Sequence, residues 1–413
     1  MGNIFNIVGC ECSKSRERNG SLHKVTVTDS TKSELVSSTI IPKELYKDNN
    51  QKSSFTNYIQ RQFSKDSHYN VFEKYMQICI LGKTHYSTVY KVKNRLNNQL
   101  RAMKEIPKEN IENGNDTKNI IASISMLRDL HHPNLIQLYE FYEDEKNFYL
   151  IYELCDQIDL EEILKERFLL NEFLVKFIMY KIFLAVNYLH KNRIIHGNIK
   201  ITNIGIKYKD KNKDNKNNAN NENGNNINEN KKEERKAILK ELINEISDDI
   251  NLQNELLEKK YYSLLTDKAK NFINNLLNYE FKLLDCWVQD VFIKNQSEND
   301  NSDIILNINY FSPELFDGYI VKERDEWACG ILMFYLIKGY YPFDGDTKDE
   351  LVLDIISDNG DISNEIKDLK VSKECKDLIS RLLNRNVHNR IKVDEVLKHD
   401  FFQKGLRIKD LID

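Results

Sequence analysis

Between Asp325 and Phe343 the chain reads Asp-Glu-Trp-Ala-Cys-Gly-Ile-Leu-Met-Phe-Tyr-Leu-Ile-Lys-Gly-Tyr-Tyr-Pro-Phe. Wound as a helix, this stretch is apolar around its circumference, so it is stable only when buried on every side. Gly339 and then Pro342 follow in the order that terminates a helix. Other elements therefore have to pack around it.

The chain has the material to do so: 413 residues, 40% hydrophobic and 10% aromatic, enough for a full core and more than one domain. Its net charge of -4, with both signs abundant, argues against a nucleic-acid binder, whose footprint is a basic face. Seven Cys stand without Cys-x-x-Cys pairs and no apolar signal region opens the chain, so a reducing compartment without disulfides is expected. With no run of about 18 apolar residues, any membrane contact is expected to be peripheral.

The first residues supply a candidate for that contact. Gly2 is placed for N-myristoylation, with Asn6 where the motif prefers Ser or Thr, and Cys10 and Cys12 stand where a second acyl chain is added, ahead of Lys14, Arg16 and Arg18. One myristoyl chain binds a bilayer only marginally, at about 10⁴ M⁻¹, so thioesters at Cys10 or Cys12 would make residence stable. Residues 1–18 are thus expected to anchor the chain at the cytoplasmic face of a membrane, and residues 19–68, polar and without apolar period, to be an unordered tether.

From Val71 the character changes. Tyr75-Met-Gln-Ile-Cys-Ile-Leu81, Ser87-Thr-Val-Tyr-Lys-Val92 and Gln99-Leu-Arg-Ala-Met-Lys-Glu-Ile106 read as three strands, the first two flanking Gly82. Phe148 to Tyr152 reads as a further strand, and Phe173 to His190 repeats apolar residues at helical spacing. Residues 209–232 are an Asn/Lys run of low complexity. Beyond it Ile238, Leu239, Leu242, Ile243 and Ile246, then Leu252, Leu256 and Leu257, recur at helical spacing, expected to pack on the chain's own core rather than on a partner.

The order Asp325, Trp327, Gly330, Gly339, Pro342, Phe343 resembles the central buried helix of a eukaryotic protein kinase, in the manner of the calcium-dependent kinases of plants and protists. Ile194-Ile-His-Gly-Asn-Ile-Lys-Ile-Thr-Asn203, Lys282-Leu-Leu-Asp-Cys-Trp287 and Ser312-Pro-Glu314 resemble that family's catalytic loop, metal-binding turn and activation-segment end. The resemblance implies an α+β bilobal fold: a β-rich N-lobe over residues 71–153 and a helical C-lobe over 154–408, interrupted by an insert at 209–280. It implies that Asp325 fixes the catalytic-loop backbone, that His196 is a structural residue of that loop, and that Glu314 pairs with Arg390.

ATP with Mg²⁺ is the implied cofactor. Gly82, Val89, Ala102, Lys104, Glu153 and Asp159 fall at nucleotide-binding places, with Tyr152 at the gatekeeper. Asn203 and Asp285 fall at the metal ligands, and Lys200 at the catalytic-loop lysine. The departures are concentrated in the chemistry. Asn198 replaces the aspartate base, and an amide has no basicity near neutral pH. Ser123 stands where a glutamate pairs with Lys104, and Thr84 and Ser87 where loop glycines approach phosphate. Gly197 replaces the arginine before the base, Gly205 the adenine floor, Cys286-Trp287 a Phe-Gly pair, and Leu306-Asn307 a Gly-Thr pair that docks the substrate.

Since each loss touches a separate part, the pattern favours a membrane-anchored pseudokinase acting as scaffold or allosteric partner of another kinase, with weak ATP binding. The alternative is a weakly active Ser/Thr kinase acting on protein substrates. No Asp-x-Asp-x-Asp-Gly loop follows the kinase-like region, so calcium is not expected to bind in cis.

Overall fold

The computed structural model describes residues 70–84, 87–110, 124, 126–156, 158–161, 164, 170–209, 224–286, 308–357 and 362–412. The expectations placed on Gly2, Cys10, Cys12, the 19–68 tether, Ser123, Trp287, Leu306 and Asn307 lie outside these residues.

Five strands form an antiparallel upper sheet: β1 (Tyr75–Lys83), β2 (Thr88–Asn94), β3 (Leu100–Pro107), β4 (Leu138–Glu143) and β5 (Asn147–Tyr152), in the order β1-β2-β3-β5-β4. Their register lines up Gly82 with Val89, Val89 with Lys104, and Lys104 with Leu150, while Ala102 pairs with Tyr152. Because side chains alternate along a strand, Lys104 and Ala102 share one face of this sheet. The opposite face buries Met103, Val92 and Ile151 with Tyr75, Tyr142 and Tyr149.

A second, three-stranded sheet, β6 (Ile158–Asp159), β7 (Ile204–Tyr208) and β8 (Tyr279–Leu283), begins the larger helical part. The helices that matter here are α1 (Glu172–Lys191), α2 (Gly224–Asp248), α3 (Ile250–Glu258), α4 (Asp267–Leu276), α5 (Arg324–Lys338), α6 (Lys348–Ile356) and α7 (Lys373–Leu382). Short polar side chains start several of them. Asn171 accepts from the Phe173 amide at 2.7 Å, Asp249 from Leu252 at 3.0 Å, and Ser372 from Cys375 at 3.1 Å.

Most of the apolar stretch from Asp325 to Phe343 lies in α5. Trp327, Cys329, Ile331, Leu332, Met333 and Phe334 are all 0% exposed, and the helix ends at Gly339 with φ 75°, a left-handed cap that glycine adopts without steric cost. Trp327 stacks on Phe343 with ring centroids 5.5 Å apart. At Gly330 the helix meets α7 so closely that a Cβ would lie 2.8 Å from the Leu383 side chain. Helix α1 has the length and hydropathy to cross a membrane, yet 78% of its apolar window is buried inside the fold.

The insert behaves as its spacing suggests. It leaves β7, returns through β8, and its Leu239, Leu242, Ile243, Ile246, Leu252 and Leu256 join the same cluster as α1 and α5. It is part of the core.

Candidate active site

The site is assembled from the α5 terminus upward. Asp325, 1% exposed, accepts from the amides of His196 and Gly197, each at 2.8 Å, and from the His190 imidazole at 2.9 Å. Burial alone would raise its carboxyl, but the His190 hydrogen bond and charge hold it below the ordinary range. Burial likewise pulls His190 down, and the bonds to Asp325 and Glu326 outweigh this and raise it to about 10, so the pair is ionic at neutral pH. His196 is fully enclosed and burial lowers it to about 4, leaving a neutral ring whose Nδ1 accepts from the Asn198 amide at 3.2 Å.

Above this base sits the loop itself. Arg324 donates to the Gly197 carbonyl at 3.0 Å from below, and Gly197 turns with φ 72°. Lys200 precedes a single 3-10 turn, Ile201–Asn203. The Asn203 side chain donates to the Asn198 carbonyl at 2.8 Å, which leaves its amide oxygen as the end able to face a cation. Asn198 is 8% exposed, and its own side-chain amide donates to the Asp285 carbonyl at 3.4 Å. Asp285 itself has φ 59°, an uncommon value outside glycine.

Across the cleft, Lys104 of β3, a residue 4% exposed, is bonded through its ammonium to the Asp285 carboxylate just beyond β8. The loop between β1 and β2 is also closed on itself. Thr84 donates its amide to the Ser87 carbonyl at 2.8 Å, while the Ser87 amide donates to the Thr84 hydroxyl at 3.1 Å. In this state Lys104 and the Ser87 amide already have anionic or oxygen partners within the protein. At the adenine side, a Cβ on Gly205 would lie 2.9 Å from both Cys155 Sγ and a Leu284 methyl. The space a larger residue 205 would fill is thus occupied by those two side chains. The thiol of Cys155 is pushed up to about 12 by burial and by Glu153, so it is not a nucleophile at neutral pH.

Glu153, 7% exposed, is tied to Lys207 at 2.5 Å and Lys282 at 3.1 Å. Burial raises its carboxyl, and the Lys207 hydrogen bond with both ammonium charges brings it below the ordinary value. Of Asp159, the backbone pairs with Gly205. Further down, Arg390 holds both Glu314 oxygens, at 2.6 and 2.8 Å, and lies over the Trp327 ring. Residues that sequence reasoning passed over are Arg324, His190, Lys207 and Lys282. A lysine inside an otherwise apolar strand was the available signal for Lys207.

This arrangement, a five-stranded sheet above a helical body whose buried Asp holds a His-x-Asn loop, has counterparts. A family model described as the protein kinase domain matches residues 75–216 and 268–402, well over half of the chain. The chain belongs to the protein kinase family. The gap in the match falls on the insert. Among curated relatives, this kinase-family chain is 28% identical over 325 residues to calcium-dependent protein kinase 5 of Plasmodium falciparum, covering 78% of this chain and 44% of that one. It is 23% identical over 369 residues to calcium-dependent protein kinase 4 of Plasmodium berghei, covering 89% of this chain and 56% of that one. The chain thus spans about half the length of these relatives. The crystal structure of Rad53 1-466 in complex with AMP-PNP shares the fold, with TM-score 0.54 and 20% identity over 80% of this chain and 66% of that one.

As a nucleotide site the residues fit only after rearrangement. A metal on Asp285 and Asn203 would compete with Lys104 for the same carboxylate, and a phosphate would compete with Asp285 for the same ammonium.

Proposed function

We propose that this kinase-family chain is a membrane-anchored pseudokinase: it binds nucleotide weakly and works as a scaffold or allosteric partner of a protein, such as an active kinase, rather than as a phosphotransferase. The observation that carries the reading is the pairing of Lys104 with Asp285 beside an amide, Asn198, at the place of the base. Phosphoryl transfer relies on a lysine positioning phosphate, a carboxylate holding metal and a base orienting the nucleophile. Here the first two neutralise each other and the third has no basicity. Gly2, Cys10 and Cys12 support the anchoring part from sequence alone.

A radiometric assay on purified full-length protein, with Asp285→Ala as the blank, tests the catalytic part; label transfer at an ordinary kinase turnover of about 1 s⁻¹ overturns it. Gly2→Ala, and separately Cys10→Ser with Cys12→Ser, is expected to shift the chain from membrane to soluble fractions, and unchanged partition refutes the anchor. A second reading, a slow Ser/Thr kinase, is favoured by the Asn203 side chain, which is anchored to Asn198 and leaves its oxygen available for a metal. In the same assay, label transfer above the Asp285→Ala blank but well below about 1 s⁻¹ favours this second reading, and transfer at the level of the blank favours the first.

A further inference from the structure

The insert reaches back to the segment that joins the two lobes. Glu153, Leu154, Cys155 and Asp156 follow β5, and Asp156 is held from three sides. Its amide donates to the Ile206 carbonyl at 3.0 Å, its Oδ2 accepts from the Tyr208 amide at 2.5 Å, and its Oδ1 pairs with Arg235 Nη1 at 3.1 Å. Arg235 is on α2, inside the insert. Its guanidinium lies 4.8 Å from the Tyr208 ring centroid, Tyr208 packs edge-on against Tyr279, and the Tyr279 hydroxyl donates to the Arg235 carbonyl at 2.7 Å. The Arg235 and Asp156 side chains are 16% and 23% exposed, so water screens the pair only in part.

One residue before Asp156 is Cys155, whose sulfur closes on Gly205, and Gly205 pairs in register with Lys282, which holds Glu153. Leu284, the other side chain over Gly205, immediately precedes Asp285 and its bond to Lys104. A contiguous set of contacts therefore runs from the insert to the pocket wall.

We propose that Arg235 is a positioning residue for the joining segment, so that the insert sets how closely Cys155 covers the adenine side of the pocket and thereby sets nucleotide affinity. Only the affinity half rests on the nucleotide reading above; the positioning half stands on the free protein. A core-packed insert could serve stability alone. The pairing with Asp156 gives it a second role, because a directional guanidinium–carboxylate bond beside the joining segment fixes a geometry that hydrophobic burial does not.

Hydrogen exchange on the full-length, nucleotide-free chain decides between the two. Arg235→Gln is expected to speed exchange at the Asp156 and Tyr208 amides about tenfold through easier local opening, with amides of α5 unchanged. Arg235→Lys, which keeps the charge, is expected to recover part of the protection. Asp156→Asn, which also weakens the acceptor of the Tyr208 amide, is expected to speed exchange at least as much as Arg235→Gln, and the double variant to add nothing beyond Asp156→Asn, since residues in one pair are not additive. Unchanged exchange at both amides, or equal acceleration in α5, overturns the positioning role. In parallel, titration with a fluorescent ATP analogue is expected to show affinity changed several-fold in Arg235→Gln and partly restored in Arg235→Lys. Equal affinities in wild type and both variants overturn the affinity half. Absence of any binding to wild type overturns the nucleotide reading and the affinity half together, while the exchange result still decides the role of Arg235.

Discussion

The Lys104 ammonium on β3 is bonded to the Asp285 carboxylate after β8, so this ion pair spans the cleft between the upper sheet and the helical body. The resemblance to the family expects the glutamate that pairs with this lysine at position 123, where this chain has serine. A nearly enclosed ammonium needs a counter-charge, and Asp285 supplies one.

The first prediction follows from that asymmetry. Asp285→Ala removes a counter-charge from an ammonium that is 4% exposed, and is expected to destabilise by about 2 kcal/mol, less than a fully buried pair because the Asp285 side chain is 21% exposed. Lys104→Met leaves an apolar chain in the same place and is expected to cost about 1 kcal/mol or less. Urea unfolding followed by fluorescence measures both, and a larger loss for Lys104→Met would show that the lysine is held mainly by other contacts.

What was legible from sequence divides along chemical lines. Asp325, Trp327, Phe343, Glu314 and Arg390 could be read because one buried helix and its partners recur in a fixed order, and burial leaves such residues little freedom. The Leu and Ile spacing in α2 and α3 was legible for the same reason, since helical period reports a buried face. The pairings Lys104–Asp285, Arg235–Asp156 and Glu153–Lys282 were not. Each joins residues distant in sequence, and charge carries no periodicity that would announce its partner.

A second prediction concerns a lysine inside α1. Lys181 is 4% exposed, lies 4.3 Å from the Phe177 ring centroid and donates to the Tyr279 carbonyl at 3.3 Å; burial, with the nearby Lys209 charge, lowers it from 10.5 to about 8. Its folded value is below its unfolded one, so the charged form costs stability below pH 8, and the cost is relieved as pH rises from about 8 to 10.5. Lys181→Met, which keeps the packing volume, is expected to stabilise the protein at pH 7 by about 1 to 3 kcal/mol, at 1.36 kcal/mol per pKa unit less the lost hydrogen bond and ring contact. Melting temperatures of the two proteins are expected to converge toward pH 10; a difference that grows with pH contradicts the assignment.

The third prediction tests how firmly the insert is docked. Gly405 has φ 65°, and a Cβ there would lie 1.8 Å from the Leu257 carbonyl oxygen at the end of α3. Gly405→Ala combines a left-handed backbone with an overlap against backbone that no side-chain rotation relieves, and is expected to cost about 2 kcal/mol or more. Gly318→Ala is the control, with φ 82° and nothing within 4 Å of its Cβ, so it reports the backbone term alone, about 1 kcal/mol. Equal losses in the two variants would mean that α3 yields freely.

The last prediction is that returning a base at position 198 does not return catalysis. Asn198→Asp supplies a proton acceptor, and base catalysis contributes about 10² to 10⁴-fold. The substitution also replaces the amide that donates to the Asp285 carbonyl at 3.4 Å with a carboxylate that cannot donate, so the turn bearing Asp285 loses a contact. Lys104 would still be bonded to Asp285, and phosphate positioning, where kinases gain most of their rate, would still be missing. Turnover of Asn198→Asp is therefore expected to stay below about 10⁻³ s⁻¹, against about 1 s⁻¹ or more for ordinary kinases. Ser123→Glu is expected to offer Lys104 the carboxylate that the resemblance places at position 123, and Cys286→Phe with Trp287→Gly to return the family's residues after Asp285, so the combined variant is expected to exceed the product of the single gains. Single-turnover transfer of labelled phosphate to a peptide reads the wild type, the single variants and the combined variant. Full activity from Asn198→Asp alone would show that Lys104 leaves Asp285 without help, and that the ion pair spanning the cleft is no barrier to nucleotide.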